Sequence, residues 1–133
     1  MKIEDVEGIG PAWADKLIAA GVKTTDDLLM AGGSAAGRER VEAATGIPTK
    51  RLLEWVNHVD LMRLKGVGPE YADLLEAAGV DSAAELAQRN AKNLAETFQE
   101  LDAARNTVRN IPAEAVIQGW IDEAKTLEKV VSH

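Results

Sequence analysis

Cysteine is absent from the 133 residues, and histidine occurs only at His58 and His133. Without cysteine the chain has no disulfide, no cysteine-ligated cluster and no thiolate nucleophile. His58 has no companion at the spacing of metal ligands, so we predict that it is a solvated helix residue. We therefore expect no metal, no cofactor and no enzymatic activity.

Long apolar runs are also absent. No segment reaches the roughly 18 apolar residues that a membrane span needs. The first residues, MKIEDVEG, are acidic and lack the apolar centre of a signal peptide. These absences predict a soluble, cytoplasmic protein without a membrane partner.

Positive charge is scarce, since 15 Lys and Arg against 22 Asp and Glu give a net charge of −7. The distribution is uneven: residues 38–65 carry a local charge of +2, and the rest of the chain carries −9. We call residues 38–65 the basic island, and its cations are Arg38, Arg40, Lys50, Arg51, Arg63 and Lys65. Because an acidic chain attracts nucleic acid poorly, any such binding is expected at this island.

Runs of β-branched residues and segments that alternate with period two are absent, whereas alanine, leucine and glutamate are frequent. This pattern predicts an all-α protein. Proline in the first turn and glycine after the last apolar position mark short helices over 11–20 and 69–78. The tryptophans Trp13, Trp55 and Trp120 are predicted to anchor the core on such helices.

The remaining element boundaries follow from the same residue types. Ser82 with Glu85 forms a capping box, and Thr24 with Asp27 forms a weaker one. The other predicted elements are a turn over 31–37 and helices over 38–45, from Pro48 to about Met62, over 91–109 and after Pro112.

Residues 3–29 and 61–87 are related by a constant offset of 58, with 11 identities in 27 positions. A duplication of this kind fixes the architecture before any local feature does. We expect about eight short helices in one compact domain, residues 1–133, made of two repeats over approximately 1–58 and 59–133. Because so small a unit buries its apolar face poorly, the repeats are predicted to pack together around a pseudo-two-fold axis.

Both windows contain a Gly-x-Gly-Pro turn followed by Ala-x-x-Leu, with GIGP at 8–11 and GVGP at 66–69. The pattern resembles the helix-hairpin-helix motif, and the whole chain is similar to a bacterial family of tandem helix-hairpin-helix domains whose function is not established. The glycines allow positive φ and close approach of a backbone. The central Ile9 or Val67 points inward, and exposed amides at a helix N-terminus favour an anion.

DNA-binding members with this motif contact backbone phosphates without reading bases. The resemblance therefore implies phosphate contacts from the turn residues Gly8, Ile9, Gly10, Gly66, Val67 and Gly68. Many of those members have Lys or Arg directly after the turn, where this chain has Ala12 and Glu70. Only the second turn has cations nearby, Arg63 and Lys65, so binding is expected to be weak and salt-sensitive. The other interpretation of both turns is a tight connection between helices.

Two functional hypotheses follow from these features. The first is a non-enzymatic module that docks a protein partner or a second copy of itself. It fits the acidic composition, the missing cations and an exposed aromatic pair at the equivalent positions Trp13 and Tyr71. The alternative is weak, sequence-independent binding of the DNA or RNA backbone through the second turn, Arg63–Gly68, and the basic island.

Overall fold

The computed structural model describes residues 1–6, 8–105 and 111–133, and within them every regular element is helical apart from an isolated bridge between Lys2 and Thr24. A 3₁₀ turn at Ile3–Asp5 precedes eight α-helices: α1 Pro11–Ala19, α2 Thr25–Gly32, α3 Ala35–Thr45, α4 Thr49–Leu61, α5 Pro69–Ala77, α6 Ala83–Leu86, α7 Ala91–Arg105 and α8 Glu114–Ala124. The all-α class and the expected number of helices are confirmed. None of the helices in the described ranges is long and apolar enough to cross a bilayer.

The chain divides into two compact units. Unit 1 comprises Met1–Asp60 together with Val130–His133, and unit 2 comprises Leu61–Lys129. Each unit contains its own cluster of buried apolar side chains. In unit 1, α2 packs against α3; in unit 2, α8 packs against α7 and α6. The single compact domain and its pseudo-two-fold packing stay predictions.

The first helix of each unit, α1 or α5, begins at the residue that the sequence predicted and ends one residue before the predicted end. Pro11 and Pro69 are the first residues of α1 and α5. The stops are Gly21 and Gly79, which adopt φ of +91° and +88°. A left-handed glycine there lets the chain turn back without the steric cost that a Cβ would bring.

The capping boxes form in the opposite order of strength from the one predicted. In unit 1 the box is complete, because the Asp27 N–H donates to Thr24 Oγ1 at 3.1 Å and the Thr24 N–H donates to Asp27 Oδ2 at 3.2 Å. Bonds from the N–H groups of Lys23 and Thr24 lower the pKa of Asp27 from its ordinary value of 3.8. In unit 2 Ser82 Oγ accepts from the Glu85 N–H, but the Glu85 carboxylate accepts from Arg89 at 2.7 Å.

Two boundaries differ from the predictions. The turn expected over 31–37 is wrong, because α2 continues through Gly32 and α3 already begins at Ala35. Ser34 caps α3 by accepting from the Gly37 N–H at 3.0 Å. The prediction missed this N-cap because the glycines around it favour a turn. The helix expected over 91–109 is present as far as Arg105, and residues 106–110 lie outside the described ranges.

His58 is buried, so its predicted solvation is wrong. The apolar residues Leu52, Val56 and Val59 of α4 are buried. Trp55 and His58 are buried as well, which widens the buried arc of the helix beyond its apolar stripe.

Candidate functional site

The two glycine hairpins share one backbone conformation. Gly8 and Gly66 adopt φ of +92° and +86°, the left-handed region that a side chain rarely enters. The central residues Ile9 and Val67 are buried, as the sequence predicted. Their N–H groups donate back to the chain, Ile9 to Val6 O at 3.2 Å and Val67 to Leu64 O at 3.1 Å. Each turn is therefore closed by its own main-chain hydrogen bond, and its central side chain is buried in the core of its unit.

The outer amides of both hairpins remain available. Gly10 and Gly68 are the N-cap residues of α1 and α5, and neither has a side chain that could cap the helix. Among the described residues, the N–H groups of Gly8, Gly10, Gly66 and Gly68 donate to no protein acceptor. Such amides at the positive end of a helix dipole can receive an anion or a carbonyl oxygen.

A buried tryptophan lies beneath each hairpin. A Cβ placed on Gly8 would lie 3.7 Å from Trp55 Nε1, and one placed on Gly66 would lie 3.7 Å from Trp120 Nε1. Trp55 and Trp120 are 5% and 4% exposed, so their predicted role as core anchors is confirmed. The indoles support the turns from below and leave their outer faces uncovered.

The second hairpin differs from the first in its charged neighbours. The Lys65 N–H donates to Glu123 Oε1 at 2.9 Å, so a carboxylate lies at the edge of this turn. The Arg63 guanidinium donates to Glu128 O at 3.1 and 3.2 Å. Sequence reasoning missed both contacts, because the acceptors lie about sixty residues further along the chain. Lys65 is exposed, but Arg63 is already used inside unit 2.

Trp13 and Tyr71 occupy equivalent positions but have different surroundings, and both are half-buried. The Tyr71 ring packs on Trp120 with centroids 5.3 Å apart and an interplanar angle of 53°. The Trp13 ring instead has Lys16 Nζ at 5.3 Å from its centroid. Each ring belongs partly to its core, so neither is the fully presented aromatic side chain that the docking hypothesis expected.

The basic island has fewer available cations than its sequence suggested. Arg38 is 4% exposed, and its guanidinium donates to Gly32 O at 2.9 Å, to Gly33 O at 3.0 Å and to Ser132 O at 2.6 Å. Burial lowers the pKa of Arg38 from its ordinary value. The exposed cations of the island are Arg40, Lys50, Arg51 and Lys65.

Unit 1 also carries an apolar groove that sequence reasoning did not find. Its volume is about 250 Å³, and it lies between the end of α1, α2 and α3. Met30 at its edge is 84% exposed. We call this surface the Met30 groove, and it is lined by Ala20, Val22, Met30, Ala31, Gly37, Arg40, Val41 and Ala44.

Comparison with known families matches residues 7–127 to a domain of unknown function, DUF4332. No curated protein and no solved structure matches the chain. The matched residues include both glycine hairpins and the full ranges of helices α1 to α8. The chain belongs to the DUF4332 family.

Proposed function

We propose that this chain is a non-enzymatic docking module whose contact surface for a protein partner is the Met30 groove. The observation that carries the proposal is an apolar side chain, Met30, that is 84% exposed beside a preformed groove. Exposed apolar surface rimmed by polar residues is typical of protein interaction sites. Trp13 and Tyr71, which are half-buried, play at most a supporting part.

The corresponding position of unit 2 has a different side chain. Arg89 Nη2 donates to Gly79 O at 3.0 Å, and it lies 3.6 Å from where a Cβ on Gly79 would be. The equivalent glycine in unit 1 is Gly21, which has nothing within 4 Å of that point. The residue that corresponds to Arg89 at the offset of 58 is Ala31, which lines the Met30 groove. A position that lines the groove as alanine in unit 1 is thus an arginine in unit 2, where it contacts the glycine after α5.

The lining of the groove indicates the chemistry of its partner. Seven of the eight lining residues are uncharged, and the remaining one is Arg40. An apolar side chain with a neighbouring carboxylate would fill the groove and pair with the guanidinium. We therefore propose a partner segment in which Leu, Ile or Met lies next to Asp or Glu.

The test is a selection of twelve-residue displayed peptides on the folded chain. We expect enrichment of peptides with an apolar residue next to Asp or Glu, and a loss of at least about tenfold in their affinity for Met30→Glu. Val116→Glu is the matched control, because Val116 is also exposed but lies on α8, outside the groove. Peptides that bind all three proteins equally, or no enrichment at all, would contradict the proposal.

The second candidate is the helix-hairpin-helix interpretation, in which the hairpins bind the backbone of DNA or RNA without sequence preference. It is favoured by the outer glycine amides, which have the same conformation in both units and no protein acceptor among the described residues. Phosphate is an anion that such amides accept. The Glu123 carboxylate opposes it at the second hairpin, where it already accepts from the Lys65 N–H.

Removing that carboxylate separates the two interpretations of the hairpin. If the second hairpin binds phosphate, Glu123→Gln should tighten binding to a short DNA duplex at low salt, because one repulsive charge is removed. Adding Lys65→Glu should reverse the gain, and the affinity should fall steeply with added salt. Fluorescence anisotropy with labelled duplex measures both effects. No binding by Glu123→Gln at low ionic strength would leave the hairpins as helix connections only.

A further inference from the structure

Residues 130–133 form a short segment that packs into unit 1. Val131 is 2% exposed and belongs to the buried cluster of that unit. The Ser132 N–H donates to Gly33 O at 2.8 Å, and His133 Nε2 lies 3.1 Å from Asn57 Oδ1. The segment thus combines one buried apolar side chain with main-chain hydrogen bonding, as added peptide segments do in many complexes.

Arg38 is the residue that holds the segment. Its buried guanidinium joins Ser132 O to Gly32 O and Gly33 O, the carbonyls at the end of α2. No carboxylate among the described residues pairs with it, so its charge is compensated by carbonyl groups and by the negative end of a helix dipole. Arg38 recognises the main chain of its occupant, and removing that occupant would leave part of a buried charge unsatisfied.

The cleft is shaped closely around the segment. A Cβ on Gly33 would lie 2.6 Å from Val130 O, 2.8 Å from Leu29 O of α2 and 3.1 Å from Val130 Cγ1. Even alanine at position 33 would therefore collide with the backbone of the occupant. We define the Arg38 cleft by Gly33, Arg38 and Asn57.

The connection that leads into the segment is short. Leu127 packs against the buried cluster of unit 2, and Glu128 O accepts from Arg63 in the same unit. Val130 packs against the buried cluster of unit 1. Glu128 and Lys129 lie between Leu127 and Val130, and Glu128 is itself bonded within unit 2, so the connection is short. Short connections of this kind favour exchange, between copies, of the segment that follows them.

We propose that the Arg38 cleft also accepts residues 130–133 of a second copy, so that two chains exchange these segments reciprocally. The exchanged contact is the one already present within unit 1, so it needs no new surface. Within one chain, the short connection holds the segment at an effective concentration on the order of 1 mM. A second copy has to approach that concentration before its segment competes for the cleft. The exchange is independent of the Met30 groove.

The experiment combines two variants of the full chain, each of which is unable to complete the contact alone. Val131→Asp keeps the cleft but disables the segment, because a carboxylate would have to be buried. Arg38→Met keeps the segment but disables the cleft. ¹⁵N-labelled Val131→Asp is titrated with unlabelled Arg38→Met at chain concentrations up to about 1 mM. We expect the amide signal of Gly33 to shift in a saturable manner, with a matching rise in mass by sedimentation equilibrium.

The matched control is the unlabelled double variant Arg38→Met, Val131→Asp, which has neither part and should cause no shift. Circular dichroism establishes that each variant is folded. If Arg38→Met is unfolded, Gly33→Ala replaces it, since the added Cβ meets Val130 O without removing a charge, and circular dichroism establishes that its contact with Leu29 O leaves the helices folded. An absent Gly33 shift with folded proteins, or an equal shift with the double variant, would overturn the exchange.

Discussion

The two glycine hairpins have the same backbone and different neighbours. In both, a glycine at positive φ lies over a buried indole, and a second glycine caps the following helix. Around the first hairpin the aromatic residue Trp13 faces Lys16, whereas around the second Tyr71 packs on Trp120. The backbone of the hairpin and the buried indole beneath it are thus the same in both units, whereas the neighbours of Trp13 and Tyr71 differ.

The position equivalent to Lys16 explains part of this difference. At the offset of 58 it is Leu74, which is buried in the core of unit 2. α5 packs against the long helix α7, so one more of its faces is covered. α1 leaves that face to solvent, and the unit that contains it also carries the open Met30 groove. The solvent-facing side of α1 and the Met30 groove thus lie in the same unit.

The largest expected effect comes from the tryptophans beneath the hairpins. Trp55→Ala and Trp120→Ala should each lower the free energy of unfolding by about 3–5 kcal/mol, because each empties a large buried volume. Trp120→Ala should cost about 0.5–1.5 kcal/mol more, since the ring pair with Tyr71 is lost as well. Denaturant unfolding followed by circular dichroism measures both.

Trp13→Ala is the control for that comparison, because Trp13 is half-buried and has Lys16 rather than a ring beside it. It should cost clearly less than either change. If Trp13→Ala were as costly as Trp120→Ala, burial beneath the hairpin would not be what sets the cost of losing an indole.

A smaller effect is expected at the glycines, and it tests whether the two backbones are equivalent. Gly8→Ala and Gly66→Ala should each cost about 1–2 kcal/mol, because alanine is strained at positive φ. The nearest indole atom would be 3.7 Å away in both, so neither change adds a collision. Chemical denaturation of the single variants should give equal losses within about 0.5 kcal/mol.

The second glycines supply the matched controls. Gly10 and Gly68 have negative φ and no atom within 4 Å of an added Cβ. Alanine there should change stability by about 0.5 kcal/mol or less, because two effects oppose each other. Alanine is a poorer N-cap residue than glycine, which destabilises the helix. It also lowers the entropy of the unfolded chain, which stabilises the folded state. Losses at Gly10 as large as those at Gly8 would show that the cap, and not the turn, needs glycine.

Local signals predicted the hairpins well, because their causes lie within a few residues. A proline marks the first turn of α1, a glycine marks its end, and the apolar residue between two glycines is buried. The same reasoning failed at a glycine-rich segment, because such a composition is compatible with a turn and also with closely packed helices. Residues 31–37 are rich in glycine, yet Gly32 and Gly37 are helical and packed closely, and Ser34 supplies the cap.

The candidate sites could not be predicted in the same way, because their decisive contacts are distant in sequence. Nothing near Lys65 indicates that Glu123 will accept from its N–H. The cation pattern of the basic island likewise gave no sign that Arg38 is buried against Ser132. The Met30 groove was not predicted either, although the offset of 58 already pairs its lining residue Ala31 with Arg89.

The smallest expected effect concerns the helix caps that follow the hairpins, and it depends on pH. The pKa of Asp27 is lowered in the folded chain, so its ionised form stabilises the fold above the ordinary value of 3.8. That contribution should disappear as the pH falls through the lowered folded pKa. Asp27→Asn should therefore reduce the melting temperature near neutral pH and make little difference in strong acid.

Glu85→Gln is the comparison in unit 2, where the carboxylate binds Arg89 and does not complete a capping box. Thermal melts of the three proteins across this pH range measure the difference, and an Asp27→Asn effect that persists unchanged in acid would assign the stabilisation to something other than the ionised cap.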